Sequence, residues 1–155
     1  MKSQPKNIVL GINDTHVSSH PVMYTCYGLG SCIGLFVTDR VKGLSGGAHI
    51  PLPKPLGNAD FLGAKKLIDD LLASLAYQGS DLSSLRAKVT GGAQIYETTE
   101  RVGSQNEEAV MKELVERKIF VAAKDVGGKV SRTARFYSDT GEVLISTSEQ
   151  KKYRI

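Results

Sequence analysis

The chain has 155 residues, 41% of them hydrophobic and 23% charged, with a net charge of +4. That length suits one domain, residues 1–155, with a sizeable core. No apolar run approaches the roughly 20 residues a membrane helix needs, so membrane insertion is excluded as an expectation. The basic residues are dispersed, with Lys65-Lys66 and Lys151-Lys152 the densest spots, so nothing marks a nucleic-acid stripe.

In chain order, residues 1–7 are expected to be disordered. Ile8–Ile12 reads as a first strand, Asn13–Pro21 as a polar turn-prone stretch, and Val22–Tyr27 as a second strand leading into Gly28-Leu29-Gly30-Ser31. Ile33–Val37 and the run around Gly46–Ile50 read as a hairpin joined at Asp39–Lys42. Pro51, Pro53 and Pro55 with Gly57 then stiffen a loop. Asn58 is the expected N-cap of a helix running to about Tyr77, with apolar residues from Phe61 to Ala76 at helical spacing and Gly79 as its stop. Leu85–Val89 and Ala93–Tyr96 read as short strands around Gly91-Gly92. A second helix is expected with Ser104 or Asn106 as cap and Glu107-Glu108 in its first turn. Ile119–Lys124, Val130–Tyr137 and Glu142–Ser146 complete about eight short strands and two helices. The class is α+β, a layered sandwich of packed sheets with the helices outside.

The chemistry gathers at Cys32. It ends the run Gly28-Leu29-Gly30-Ser31-Cys32, where bare backbone N–H groups of Gly30 and Ser31 stand beside a sulfur, as a nucleophile attacking a carbonyl requires. A histidine follows in Gly46-Gly47-Ala48-His49-Ile50-Pro51. If Thr38 faces Gly43 across the hairpin, Cys32 faces His49 directly, at the roughly 4.5–5.5 Å between Cβ atoms of opposed residues. A single-residue change in loop length would undo that match.

The alternatives are plainer. A lone cysteine usually packs as a small hydrophobe, and that is the expectation for Cys26. His16 and His20 read as solvated loop residues, Asn106 as a helix cap, and Asp125 as an Asx-turn former before Gly127-Gly128. Cys26, Cys32 and His49 offer at most three ligands without paired spacing, so a metal is disfavoured. Gly28-x-Gly30 lacks the further glycine and the Gly-Lys-Ser/Thr of a phosphate loop. Two cysteines with no secretory h-region in Met1–Asn7 point to a reducing cytoplasm.

Several motifs in register resemble the chemoreceptor glutamine deamidases called CheD, from about Ile8 to Ile145. They are Gly28–Cys32, Ala48–Pro53, Ala87-Lys88-Val89-Thr90-Gly91-Gly92-Ala93, Val102-Gly103-Ser104-Gln105-Asn106 and Asp125-Val126-Gly127-Gly128, with Arg132, Phe136 and Thr140-Gly141. The resemblance implies a fold similar to the catalytic domain of the cytotoxic necrotizing factor toxins. It implies hydrolysis of glutamine side chains in methyl-accepting chemotaxis receptors, with methylester cleavage in some members, and a CheC-type phosphatase as partner. It implies Cys32 as nucleophile and His49 as general acid/base, acting through a thioester without cofactor. Two positions depart from the family pattern. Cys26 stands where a threonine is usual, so the third role falls to Thr25 through a local shift, to a backbone carbonyl, or to no group. Gln105 stands where an arginine is usual. The alternative reading is a non-enzymatic regulator that binds receptors and a CheC-type phosphatase.

Overall fold

A computed structural model describes residues 4–57 and 60–155. Among the described residues, ten strands form two five-stranded mixed sheets, and two α-helices lie on one of them. The first sheet has the order β1 (Lys6–Val9), β3 (Val22–Leu29), β8 (Arg132–Tyr137), β9 (Glu142–Thr147), β10 (Lys152–Arg154). The second has the order β2 (Thr15–Ser18), β5 (Leu44–Ile50), β4 (Ile33–Asp39), β6 (Arg86–Gly91), β7 (Phe120–Val126). Helices α1 (Ala64–Tyr77) and α2 (Val102–Glu116) cover the second sheet's other face. None of the helices among the described residues is long and apolar enough to cross a membrane.

Strand alternation builds two cores. On β4, Ile33, Leu35 and Val37 point toward the helices, where they join Leu67, Ile68, Leu71, Leu75, Val110 and Leu114 in an aliphatic layer. Phe36 points the other way, into the layer between the sheets with Tyr24, Cys26, Leu29, Phe136 and Ile145. There Phe36 stacks on Phe136 with ring centres 5.1 Å apart. The inner strands β4 and β5 are thus covered on both faces and buried along their whole length.

The α+β sandwich agrees with the sequence reading, and the particulars differ. Lys6 and Asn7, expected to be disordered, pair with Val22 and Met23. β2 was read as turn, being a short polar strand at a sheet edge. β10 had been missed, and Ala93–Tyr96 forms no strand. The expected cap Asn58 lies outside the described residues, and α1 itself begins at Ala64 with Gly63 as N-cap. Its end matches expectation: Gly79 at φ 98° follows the cap residue. The N–H groups of Gly79 and Ser80 close back on Ala76 and Leu75, a Schellman motif.

The hairpin needs a correction that bears on function. Asp39 faces Leu44 and the loop is Arg40–Gly43, so the pairing runs Ile33 to Ile50 and Gly34 to His49. Two residues move the turn. Gly43 sits at φ 66°, a left-handed conformation that belongs in a loop. Asp39 is the last strand residue, and its carboxylate accepts the N–H groups of Val41 and Lys42 at 3.0 Å. Cys32 therefore stands one diagonal step from His49 instead of directly opposite.

Candidate active site

A slip of two positions preserves the face, because side chains alternate with period two. His49 shares the inter-sheet face with Gly34, and Cys32 packs against the same layer. Diagonal neighbours lie about 7–8 Å apart at the backbone, within reach of long side chains. Gly34, between them, has no side chain to block the approach. A Cβ there would lie 3.5 Å from Cys26 Sγ and 3.3 Å from Leu29 Cδ1.

His49 is held from three sides by the loop after β1. Its N–H donates to the Asp14 carbonyl at 3.1 Å, and its carbonyl accepts from Asn13 N–H at 3.1 Å. Its Nδ1 lies 2.8 Å from the Leu10 carbonyl oxygen. A carbonyl only accepts, so Nδ1 carries the proton and Nε2 is left as the basic nitrogen. Leu10 is itself fixed, its N–H donating to the Thr25 carbonyl at 2.8 Å.

Thr25 does not reach the histidine. It points to the outer face of β3, where its hydroxyl donates to Asn7 Oδ1 at 2.7 Å. Strand alternation is the reason: Tyr24 and Cys26 face inward, so Thr25 between them cannot. Of the three options left by the sequence, the geometry puts a backbone carbonyl, that of Leu10, on Nδ1. Thr25 contributes through its main chain alone.

The loop before Cys32 is pinned by its carbonyls. Gly30 O accepts from Ala93 N–H at 2.8 Å and Cys32 O from Gly92 N–H at 2.9 Å. Among the described residues, the N–H groups of Ser31 and Cys32 donate to no protein acceptor. Gly91 makes the approach possible. It adopts φ 110°, and a Cβ on it would collide with the Cys32 carbonyl. The buried Arg132 secures this floor, donating to the Gly91 and Gly127 carbonyls and pairing with Asp125 at 3.1 Å. Asp125, expected to form an Asx-turn, instead serves as this arginine's partner.

A cleft of about 550 Å³ opens on the loop, lined by Gly30, Ser31, Cys32, Gln94, Tyr96 and Ser131 among others. His49 does not line it and is 5% exposed. Tyr96 stands at the rim, 78% exposed. Cys32 thus lines a solvent-accessible cleft, while the imidazole on the same sheet face is buried.

Burial sets the protonation states. It pushes the Cys32 thiol above its ordinary value. It lowers His49, against the raising effects of the Leu10 hydrogen bond and the Asp14 charge. Both shifts favour the neutral forms of the thiol and the imidazole. Cys26 is also raised, by burial first and then by Cys32 and Asp14. It packs in the inter-sheet core, as expected, 3.5 Å from where a Cβ on Gly34 would lie.

Asn106 is the residue sequence reasoning misplaced. α2 begins at Val102, so Asn106 is inside the helix and not its cap. It is fully buried, and its Nδ2 donates to Ser31 O at 2.7 Å and Pro51 O at 3.0 Å. Its spacing from Gly103 and Val110 on one helical face was the available signal. Gln105, beside it, is exposed. His16 is likewise no free loop residue, since its Nδ1 meets the Tyr24 hydroxyl at 3.2 Å.

A model of the family described as CheD chemotactic sensory transduction matches residues 58–147. A Halalkalibacterium halodurans protein named "Chemoreceptor glutamine deamidase CheD" is 37% identical, over 96% of this chain and 98% of that one. A Clostridium botulinum protein named "Probable chemoreceptor glutamine deamidase CheD" is 33% identical, over 92% and 93%. Among solved structures, a Neisseria meningitidis protein of family DUF152 shares the fold with a TM-score of 0.51 and 10% identity. That match takes in 81% of this chain and 64% of the other.

Proposed function

The chain belongs to the CheD family, and from that membership we infer that it deamidates glutamine side chains of chemotaxis receptors, with Cys32 as the nucleophile and His49 as the base. The observation that carries the chemical part is the buried His49, its Nδ1 proton committed to the Leu10 carbonyl, on the same face as Cys32.

The substrate carboxamide enters the cleft beside Gly30 and Ser31. His49 Nε2 takes the thiol proton as the sulfur bonds to the amide carbon, and the carbonyl becomes an oxyanion held by free N–H groups of the loop. The C–N bond breaks as the imidazolium returns its proton to nitrogen, which leaves as ammonia. The thioester is then attacked by water, which His49 deprotonates. The C–S bond breaks, the sulfur recovers a proton, and glutamate remains on the receptor.

The receptor substrate follows from the family. A CheC-type phosphatase as partner and a cytoplasmic location complete the proposal, supported by the resemblance of the motifs. Binding to a purified CheC-type protein, measured by titration calorimetry, tests the partner.

The deciding experiment is peptide mass spectrometry of a chemoreceptor cytoplasmic fragment after incubation with the protein or with Cys32→Ala. A gain of about one mass unit at particular glutamines, present with the native chain and absent with the variant, is the expected result, since acid replaces amide through the cysteine. Equal conversion by Cys32→Ala would overturn the nucleophile. No conversion by either, with receptor binding retained, would favour the regulatory reading.

A further inference from the structure

Asn106 sits where the β4–β5 ladder runs out. The pairing ends at Ile33 and Ile50, and the next two positions are Cys32 and Pro51. Asn106 takes over there. One amide nitrogen reaches from the helix layer to Ser31 O and Pro51 O, joining the loop that carries the nucleophile to the strand that carries the base. Both partners are acceptors, so the amide orientation is fixed by them. The side chain is fully buried and its Oδ1 has no partner among the described residues. An unpaired buried oxygen is destabilising. A plain apolar residue on that helical face would avoid the cost.

The geometry of a peptide unit says what the clamp achieves. There are no cis peptide bonds among the described residues. In a trans unit the carbonyl and the N–H point in opposite directions. Ser31 O and Cys32 N–H belong to one unit. Asn106 draws Ser31 O toward the helices, so the Cys32 N–H points away from them, toward the side of the sheet that His49 occupies. That N–H has no protein acceptor.

We propose that Asn106 is a positioning residue that aims the Cys32 N–H as an oxyanion donor by holding the Ser31 carbonyl from behind. The inference rests on the nucleophile reading above. Without the clamp the Ser31–Cys32 unit can turn between the pinned Gly30 and Cys32 carbonyls, and the donor leaves its place while the sulfur and the imidazole keep theirs.

The test compares Asn106→Ala and the isosteric Asn106→Asp with the native chain, on a chemoreceptor cytoplasmic fragment. Ammonia release gives kcat and KM, and iodoacetamide gives the alkylation rate of Cys32. Alkylation needs the sulfur but stabilises no oxyanion. The expected result is a kcat lower by about 10- to 100-fold with KM within about twofold, since a misplaced catalytic donor costs on that order. The alkylation rate stays near native. In Asn106→Asp, activity relative to the native chain rises as pH falls, because a protonated carboxyl regains a donor. If the alanine variant does not fold, the aspartate variant carries the same comparison. Native kcat in a folded variant, or kcat and alkylation falling by one common factor, would overturn the proposal. Cys32→Ala in the same assay separates the two readings, because activity surviving there would sink the nucleophile itself.

Discussion

The β4–β5 hairpin is held at each end by a buried polar side chain, and the two ends use theirs differently. At the turn, Asp39 is 1% exposed and its carboxylate is saturated. It accepts from Val41 and Lys42 N–H at 3.0 Å, Ser80 Oγ at 2.7 Å and Asp81 N–H at 3.3 Å. At the open end, Asn106 uses its donors and leaves its oxygen unpaired, and two loop N–H groups beside Cys32 are also unspent. One end closes all its hydrogen bonds and the other leaves a set open. A fully satisfied network rigidifies, and unspent donors aimed at one place are what a reacting carbonyl needs.

The largest expected effect is a crossed one. His49→Ala lowers kcat by about 10²–10⁴-fold, the usual worth of a positioned acid/base. Asp39→Asn leaves the kcat of folded protein unchanged and costs about 2–3 kcal/mol in urea unfolding, since a buried network loses its charged acceptor. The Asp39 carboxyl is held below the usual carboxylate range by Ser80, Lys42, Asp81 and Val41, against the opposing effect of burial. Its contribution is therefore complete above pH 3.8 and is lost as pH falls through the lower folded value. That loss should vanish in Asp39→Asn. A variant pair in which both parameters move together would erase the distinction between the two ends.

Next come two glycines with left-handed backbones. Gly43, at φ 66°, has open space around it, so Gly43→Ala should cost only strain, about 1 kcal/mol, and spare activity. Gly91, at φ 110°, backs onto the Cys32 carbonyl, so Gly91→Ala should lower both the melting temperature and kcat. Equal behaviour of the two variants would mean that the open end tolerates displacement of Cys32.

The smallest effect is a pH shift. With His49 lowered by burial, kcat/KM should fall on the acid side through a midpoint below 6.5. Asp14 opposes that lowering, so Asp14→Asn should move the midpoint further down. An upward shift would show that Asp14 acts on some other group.

Much of this was readable before the structure. The helix over Ala64–Tyr77 was legible because its leucines recur at helical spacing. The hairpin was legible because its apolar runs flank turn residues. Its register was not, because Asp39 looks like a loop residue and acts as the strand's last member, with its side chain bonding forward. The choice among Thr25, a backbone carbonyl and no group was not legible, because adjacency in sequence says nothing of face, and on a strand neighbours point apart. Asn106 read as a cap because asparagine favours caps. The helix begins earlier, and burial turned the residue into a tether. Leu10 gave no signal, since only its carbonyl matters.

That carbonyl shapes how the site ages under mutation. A carboxylate or hydroxyl beside an imidazole can be erased by one codon change, and it titrates or exchanges its proton. The oxygen of Leu10 survives every substitution that keeps the main chain in place, and it carries no ionisable proton. The orienting contact of this histidine is written in the path of the backbone, so a substitution scan would pass over it in silence while any change in the course of residues 10–14 would register.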